Sequence, residues 1–166
     1  TDADRAFDLL TMLSPYLSPS RRIEHSSKLD ILLIFKNLFH LLRSKKSEKF
    51  IELIAMQFRY FNDQDSRDLL CNLFLEISKI LPSLSIITSF LFDLNSYSKK
   101  VIGDYDFNKR LEAFSSFNQL LSPKDGDGDD DDGDSQSIDA VALLPVVYNF
   151  IYYLQDSDLS IYNNAS

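Results

Sequence analysis

Apolar residues recur along most of the chain at the spacing of one face of an α-helix. The clearest case lies between residues 70 and 81, where the i, i+3, i+4, i+7 pattern is formed by Leu70, Leu73, Phe74, Ile77, Ile80 and Leu81. Further segments of this kind lie at residues 29–42, 50–61, 87–94, 107–121 and 141–154. Turn formers are scarce, with four glycines and five prolines, which disfavours a many-stranded sandwich or barrel. The pattern predicts an all-α fold of about eight helices.

The same spacing identifies candidate core residues. Six side chains are predicted to form part of one continuous core: Leu73, Phe74, Ile77, Phe90, Leu111 and Phe114. Four of the five prolines lie at breaks between the predicted helices, and Pro145 is the exception. It lies either in the first turn of a helix that begins near Leu143 or at a kink in a longer helix.

An internal repeat refines this fold class. An Asp-x-Asp pair stands between two apolar helices at three places, namely Asp63/Asp65, Asp104/Asp106 and Asp156/Asp158. The pairs are separated by 41 and 52 residues, and the longer step contains an acidic insertion of about eleven extra residues. Two helices per unit at this period are typical of HEAT repeats. The sequence thus predicts a HEAT-like α-solenoid of antiparallel helix pairs. Any all-helical protein with aspartate caps is the alternative.

We expect residues 1–166 to hold about three and a half such repeats. The first residue is Thr1 and the apolar pattern runs to the last residues, so we expect a segment of a longer protein, cut at both ends. Arg67 and Arg110 follow the first two pairs, and either arginine could form an ion pair with such aspartates within or between repeats.

Two stretches resemble one particular family. The first is DLNSYSKK at residues 93–100 with DYDF at 104–107 and RLEAF at 110–114. The second runs from Leu144-Pro145 through DLSI at 158–161 to NAS at 164–166. They resemble the down-regulated-in-metastasis family, very large HEAT-repeat proteins of the small-subunit processome. The resemblance implies a non-catalytic scaffold in the nucleolus that supports ribosomal RNA precursor processing and small-subunit assembly. Processome proteins and the backbone of the precursor RNA are its implied partners.

Net charge is concentrated in one segment. The chain carries −8, of which −6 comes from residues 123–137, so the remainder is almost neutral. Seven aspartates in this segment disfavour ordering, and we predict an acidic disordered insertion. An EF-hand calcium loop does not fit, since a loop starting at Asp125 would place Asp130 where glycine is needed and Gln136 where glutamate is needed.

Deletion of residues 124–134 should therefore change the melting temperature by no more than a few degrees. The segment offers almost no apolar surface that could offset the entropy cost of ordering it. Calorimetry of the deletion variant beside the parent chain checks this expectation. A large cooperative loss of stability would show that the segment packs against the fold.

The sequence offers little for catalysis or for a cofactor. His25 and His40 are the only histidines, and Cys71 is the only cysteine and lies beside an apolar helix face. Three of the four glycines lie in the acidic segment, so no glycine-rich phosphate loop is present. Apolar runs are far shorter than the roughly 20 residues of a membrane helix. We predict no enzyme, no cofactor, no metal, no membrane and no small-molecule substrate.

Basic residues supply the candidate binding site. Lys99, Lys100, Lys109 and Arg110 flank the exposed, mobile connection at residues 95–104 and are predicted to face RNA or a protein partner. Solvated charges without a partner are the alternative, and Arg110 could pair with Asp106.

Two tyrosines stand beside this cluster, Tyr97 and Tyr105, and they could stack on unpaired bases. Two other function classes stay open. One is a generic HEAT-repeat protein-binding scaffold, such as a nuclear transport receptor or a phosphatase scaffold, and the other is an RNA-modifying enzyme.

Overall fold

The computed structural model describes residues 1–101, 103–121 and 140–154. Within these ranges the chain forms seven α-helices: α1 Asp2–Leu13, α2 His25–Leu38, α3 Ser44–Met56, α4 Gln64–Ser78, α5 Ser85–Leu94, α6 Phe107–Leu121 and α7 Ala140–Tyr153. Short 3-10 segments lie at Ser14–Leu17, Phe39–Leu41, Gln57–Arg59 and Pro82–Leu84. The described ranges contain no β-strand beyond one isolated bridge, which confirms the all-α prediction. The predicted acidic insertion at 123–137 and the pair Asp156/Asp158 lie outside the described residues.

Local side-chain chemistry explains where several helices begin. Thr1 and Asp4 form a reciprocal capping box at the start of α1. Asp63 caps α4, because its carboxylate accepts a hydrogen bond from the Ser66 backbone N–H at 2.9 Å. Asp106 stands before α6 and accepts from the Lys109 N–H at 3.3 Å. The first two Asp-x-Asp pairs thus both cap helices, one through its first aspartate and the other through its second.

The helices share one core that runs through the molecule. Four of the six predicted core side chains, those of Leu73, Phe74, Ile77 and Phe114, are fully buried. Phe90 and Leu111 are partly buried, and Phe90 packs edge-on against Phe117 at 5.6 Å between ring centroids. The helical register inferred from the apolar spacing is therefore confirmed.

The packing order of the helices departs from a simple array. α2 packs against α4, α4 against α5, and α5 against α6. α7, however, packs most extensively against α3 and also contacts the Gln57–Arg59 segment and α5. In a simple array each helix pair contacts only its neighbours in sequence. The α3–α7 contact joins distant elements, so a solenoid of helix pairs is not confirmed for the described residues.

Pro145 lies inside a long helix. α7 begins at Ala140, so Pro145 is not in the first turn of a helix that starts near Leu143. Its carbonyl accepts a hydrogen bond from the side-chain amide of Asn149 at 2.8 Å. This amide–carbonyl contact fixes the orientation of Asn149, which faces the buried side of the helix.

Candidate functional site

The described residues of the connection between α5 and α6, 96–101 and 103–106, form a short hairpin. The Ser98 N–H donates to the Asp104 carbonyl at 2.7 Å, and the Asp106 N–H donates to the Ser96 carbonyl at 3.0 Å. Tyr97 and Tyr105 form an isolated antiparallel bridge between these two bonds. A segment expected from sequence to be mobile is thus held by a set of backbone hydrogen bonds. We call residues 96–106 the hairpin.

The tip of the hairpin is organised by one hydroxyl. Ser98 Oγ accepts hydrogen bonds from the backbone N–H groups of Lys100 and Val101, at 3.1 and 3.2 Å. Gly103 has φ of +84°, a backbone conformation that favours glycine, and it allows the chain to turn back. The backbone of residues 98–101 is therefore held by these two hydrogen bonds, and Lys99, Lys100 and Val101 are exposed to solvent.

Three of the four predicted site residues lie on the surface of the hairpin region. Lys99 and Lys100 are exposed at the tip, and Lys109 is exposed in the first turn of α6. Among the residues described here, no carboxylate lies within ion-pair distance of these three ammonium groups. Their contact with a partner stays a prediction.

The fourth predicted residue, Arg110, is not on the surface. Its side chain is fully buried, so it cannot face a partner. The physical reason is its position in α6, because it shares the buried helix face with Ala113, Phe114 and Phe117 at the i, i+3, i+4, i+7 spacing. This spacing is visible in the sequence and could have separated Arg110 from its exposed neighbour Lys109.

Aromatic rings surround the Arg110 guanidinium. Its Cζ lies 3.3 Å from the ring centroid of Tyr105 and 4.8 Å from that of Tyr153. Nε donates to the Ser96 carbonyl at 3.3 Å, while neither Nη has a hydrogen-bond partner among the described residues. Burial lowers the pKa of Arg110 from its ordinary value, and the nearby tyrosines partly oppose this effect. The ring faces thus stabilise a cation that has lost its hydration.

A second buried arginine, Arg67, lies on the other side of the same rings. Its Nε donates to Asn95 Oδ1 at 2.6 Å and its Nη2 donates to Asn149 Oδ1 at 2.7 Å. Its Nη1 donates to the backbone carbonyls of Phe58 and Phe61. The side chain thereby connects α4 with the turn that follows α3, with the end of α5 and with α7.

The two arginines meet at a group of four tyrosines. Arg67 Cζ lies 4.2 Å from the ring centroid of Tyr152 and 5.5 Å from that of Tyr153, the ring that Arg110 also contacts. The hydroxyls of Tyr105 and Tyr152 are 2.8 Å apart. We call this group the arginine–tyrosine cluster, and its members are Arg67, Arg110, Tyr97, Tyr105, Tyr152 and Tyr153.

The predicted ion pairs between these arginines and the repeat aspartates do not form among the described residues. Asp63 lies 3.1 Å from His25 Nε2 instead, and the Asp106 carboxylate accepts from the Lys109 N–H. Neighbouring tyrosines and amides are the partners of both arginines because the arginines lie on buried faces, whereas the aspartates lie at helix ends.

Stacking of Tyr97 and Tyr105 on unpaired bases is also disfavoured. The two rings contact each other at 4.9 Å between centroids, and Arg110 covers one face of Tyr105. The hydroxyl of Tyr97 donates to the Asn62 carbonyl at 3.2 Å. The rings therefore serve contacts inside the molecule.

The contacts of His25 and Cys71 indicate roles in the fold and not in catalysis. His25 Nε2 lies 3.1 Å from both Ser66 Oγ and Asp63 Oδ2, so the serine and the carboxylate meet the same ring nitrogen. A catalytic triad instead connects its serine and its carboxylate to opposite ring nitrogens. Cys71 is buried, and burial raises the pKa of its thiol to about 12, which makes a reactive thiolate unfavourable.

The described residues contain neither a cluster of metal ligands nor a membrane-spanning helix. Across residues 1–101, 103–121 and 140–154, no group of three or more metal-ligating side chains comes together. None of the helices in these ranges has both the length and the apolar character that crossing a bilayer requires.

Comparisons with known proteins give one consistent family. The family model described as U3 small nucleolar RNA-associated protein 20, N-terminal, matches residues 1–166. The chain is 30% identical over 167 residues to U3 small nucleolar RNA-associated protein 20 of Schizosaccharomyces pombe, covering 95% of this chain and 6% of the relative. It is 29% identical over 120 residues to the protein of that name in Saccharomyces cerevisiae, covering 72% of this chain and 4% of the relative. No solved structure matches.

The chain thus spans only a small part of the length of these two relatives. None of these matches carries the name down-regulated-in-metastasis, so that more specific resemblance stays a prediction.

Proposed function

Since the chain belongs to the family described as U3 small nucleolar RNA-associated protein 20, N-terminal, we propose that it is a scaffold segment of a nucleolar ribosome-biogenesis protein. The match over residues 1–166 is the observation that carries this proposal. The segment acts by surface contact inside the small-subunit processome and supports processing of the ribosomal RNA precursor. Within the full-length protein it forms one part of a longer HEAT-like helical array.

We further propose that the segment performs no bond chemistry. Two features support this part of the proposal: the buried thiol of Cys71 and the structural arrangement around His25. A generic HEAT scaffold, such as a transport receptor or a phosphatase scaffold, is the less favoured function, because both relatives carry a name that refers to a small nucleolar RNA.

Crosslinking of the full-length protein in cells tests the proposal. Crosslinked peptides and RNA are mapped onto residues 1–166, and the protein is located by microscopy. We expect nucleolar signal and crosslinks from this segment to components of precursor particles. A cytoplasmic protein that does not sediment with such particles would contradict the proposal.

We expect the three exposed lysines to be the main partner-facing charges of the segment. Simultaneous change of Lys99, Lys100 and Lys109 to glutamate in the full-length protein should weaken its association with precursor particles, most strongly at low salt and less so as salt screens the charges. Sedimentation across a salt series measures the effect. A matched control changes Arg22, Arg43 and Lys45 to glutamate, which alters net charge equally at other exposed positions. Equal association of the two variants and the parent would leave the lysines with no role beyond solubility.

A further inference from the structure

We propose that the hairpin is a preformed RNA-contacting element, in which Lys99, Lys100 and Lys109 bind backbone phosphates and buried Arg110 is a positioning residue. This inference rests on the proposed function and names RNA as the partner of the surface formed by Lys99, Lys100 and Lys109, which we call the lysine surface. It also gives Arg110 a different role from the one expected from sequence, because a fully buried guanidinium cannot touch the partner.

The tip of the hairpin presents its two lysines in a fixed geometry. Ser98 Oγ accepts from two consecutive backbone N–H groups, those of Lys100 and Val101, and the Ser98 N–H is bonded to the Asp104 carbonyl. These bonds hold the backbone on both sides of Lys99. A side chain on a prearranged backbone loses less conformational entropy when it binds.

The base of the hairpin is held by Arg110. Its guanidinium packs on the Tyr105 ring in one arm, and its Nε donates to the Ser96 carbonyl in the other arm. The Tyr105 hydroxyl is in turn 2.8 Å from that of Tyr152 in α7. Arg110 therefore joins both arms of the hairpin to α6, the helix that carries Lys109.

The chemistry of the exposed surface favours phosphates over bases or an acidic protein. The three ammonium groups have no carboxylate partner among the described residues, and each can donate up to three hydrogen bonds. The faces of the nearby tyrosines are used internally, which leaves no stacking platform for bases. Val101, 52% exposed, is the one large apolar side chain exposed on the described part of the tip. Protein interfaces need a larger apolar anchor, whereas phosphate contacts do not.

Fluorescence anisotropy with the full-length protein tests this inference directly. The probes are labelled oligouridylate and oligoadenylate of equal length, measured over a salt series. Because phosphate contacts carry no base information, we expect the two probes to bind alike, and because such contacts release counterions, we expect binding to weaken as salt is raised. The triple variant K99E/K100E/K109E should bind about tenfold more weakly and lower the salt slope by about 2. The variant with Arg22, Arg43 and Lys45 changed to glutamate is the charge-matched control and should retain the slope.

The positioning role is tested by variants that leave every lysine in place. Arg110→Met should weaken binding several-fold and increase amide hydrogen exchange in residues 96–106, and Arg110→Lys should restore part of both. Ser98→Ala removes the two hydrogen bonds at the tip without touching the core. It therefore tests whether the preformed backbone of the hairpin contributes to RNA binding, even if Arg110→Met fails to fold. We expect Ser98→Ala to weaken RNA binding about threefold with an unchanged melting temperature.

Several results would overturn the inference. They are an unchanged affinity and slope in the triple lysine variant, binding of a labelled oligoglutamate peptide in preference to both RNA probes, or parental affinity in both Arg110→Met and Ser98→Ala. Association with precursor particles in cells is measured separately from RNA binding. A full-length protein that binds oligouridylate through the hairpin but is absent from precursor particles would contradict the proposed function and leave the RNA contact intact.

Discussion

Replacement of Arg67 by methionine should lower the free energy of unfolding by about 3 kcal/mol. Methionine fills a similar volume but cannot donate, so four buried acceptors lose the Arg67 donor: the Asn95 and Asn149 side-chain oxygens and the Phe58 and Phe61 carbonyls. Asn95 Oδ1 keeps only a longer hydrogen bond of 3.5 Å from the Tyr153 hydroxyl. An orphaned buried acceptor costs about 1–3 kcal/mol. Methionine carries no charge, so the variant also avoids the cost of burying a cation without a carboxylate partner. This gain offsets part of the loss, and the expected total is therefore below the simple sum.

Denaturant unfolding of residues 1–166 measures the effect. Arg59→Met is the matched control, because Arg59 is exposed near the same turn and is expected to change stability by less than about 0.5 kcal/mol. If Arg67→Met were as stable as this control, Arg67 would not connect the helices as its hydrogen bonds indicate. Asn149→Ala removes one of the four acceptors of Arg67 together with the hydrogen bond to the Pro145 carbonyl, and it should give a smaller loss than Arg67→Met.

Replacement of Phe74 by alanine is the second change for which we expect a large effect, a loss of about 3–5 kcal/mol. The ring is fully buried in the middle of α4 and stacks on Phe58 with 5.8 Å between the centroids. Truncation removes this apolar contact and leaves a cavity that neighbouring helices fill only in part. The measurement is again the free energy of unfolding in denaturant.

The adjacent residue supplies the control for Phe74. Leu75 is on the same helix and 39% exposed, so Leu75→Ala should cost much less than Phe74→Ala. A loss below about 1 kcal/mol for Phe74→Ala would mean that the ring lies on an exposed face in solution and that the helical register is wrong.

The lysine surface could be identified from sequence because exposure follows helical periodicity and turn chemistry. Lys99 and Lys100 lie in a polar connection, and Lys109 falls on the polar side of α6. The sequence groups Arg110 with these lysines because it carries the same charge and flanks the same connection. Its apolar neighbours at positions 113, 114 and 117 already indicated a buried face, but a buried arginine is unusual enough that charge outweighed periodicity in the prediction.

The arginine–tyrosine cluster was not predicted from sequence at all. Its members come from α4, the hairpin, α6 and α7. Arg67 and Tyr153, which contact each other, are the two members farthest apart along the chain. Aspartates in the sequence neighbourhood were the obvious partners for both arginines. A guanidinium can instead be stabilised by ring faces and amide oxygens, and nothing local to Arg67 or Arg110 indicates which tyrosines will be there.

The amino-acid sequence by itself determined the all-α class, the approximate helices and the buried faces of α4 and α6, because periodicity and capping are properties of neighbouring residues. Only the tertiary structure decided that α7 packs against α3, that the described residues of 96–106 close into a hairpin, and that two buried arginines contact one group of tyrosines. Which helices meet depends on complementarity between side chains distant in sequence. That information is distributed over the whole chain, and no single segment contains it.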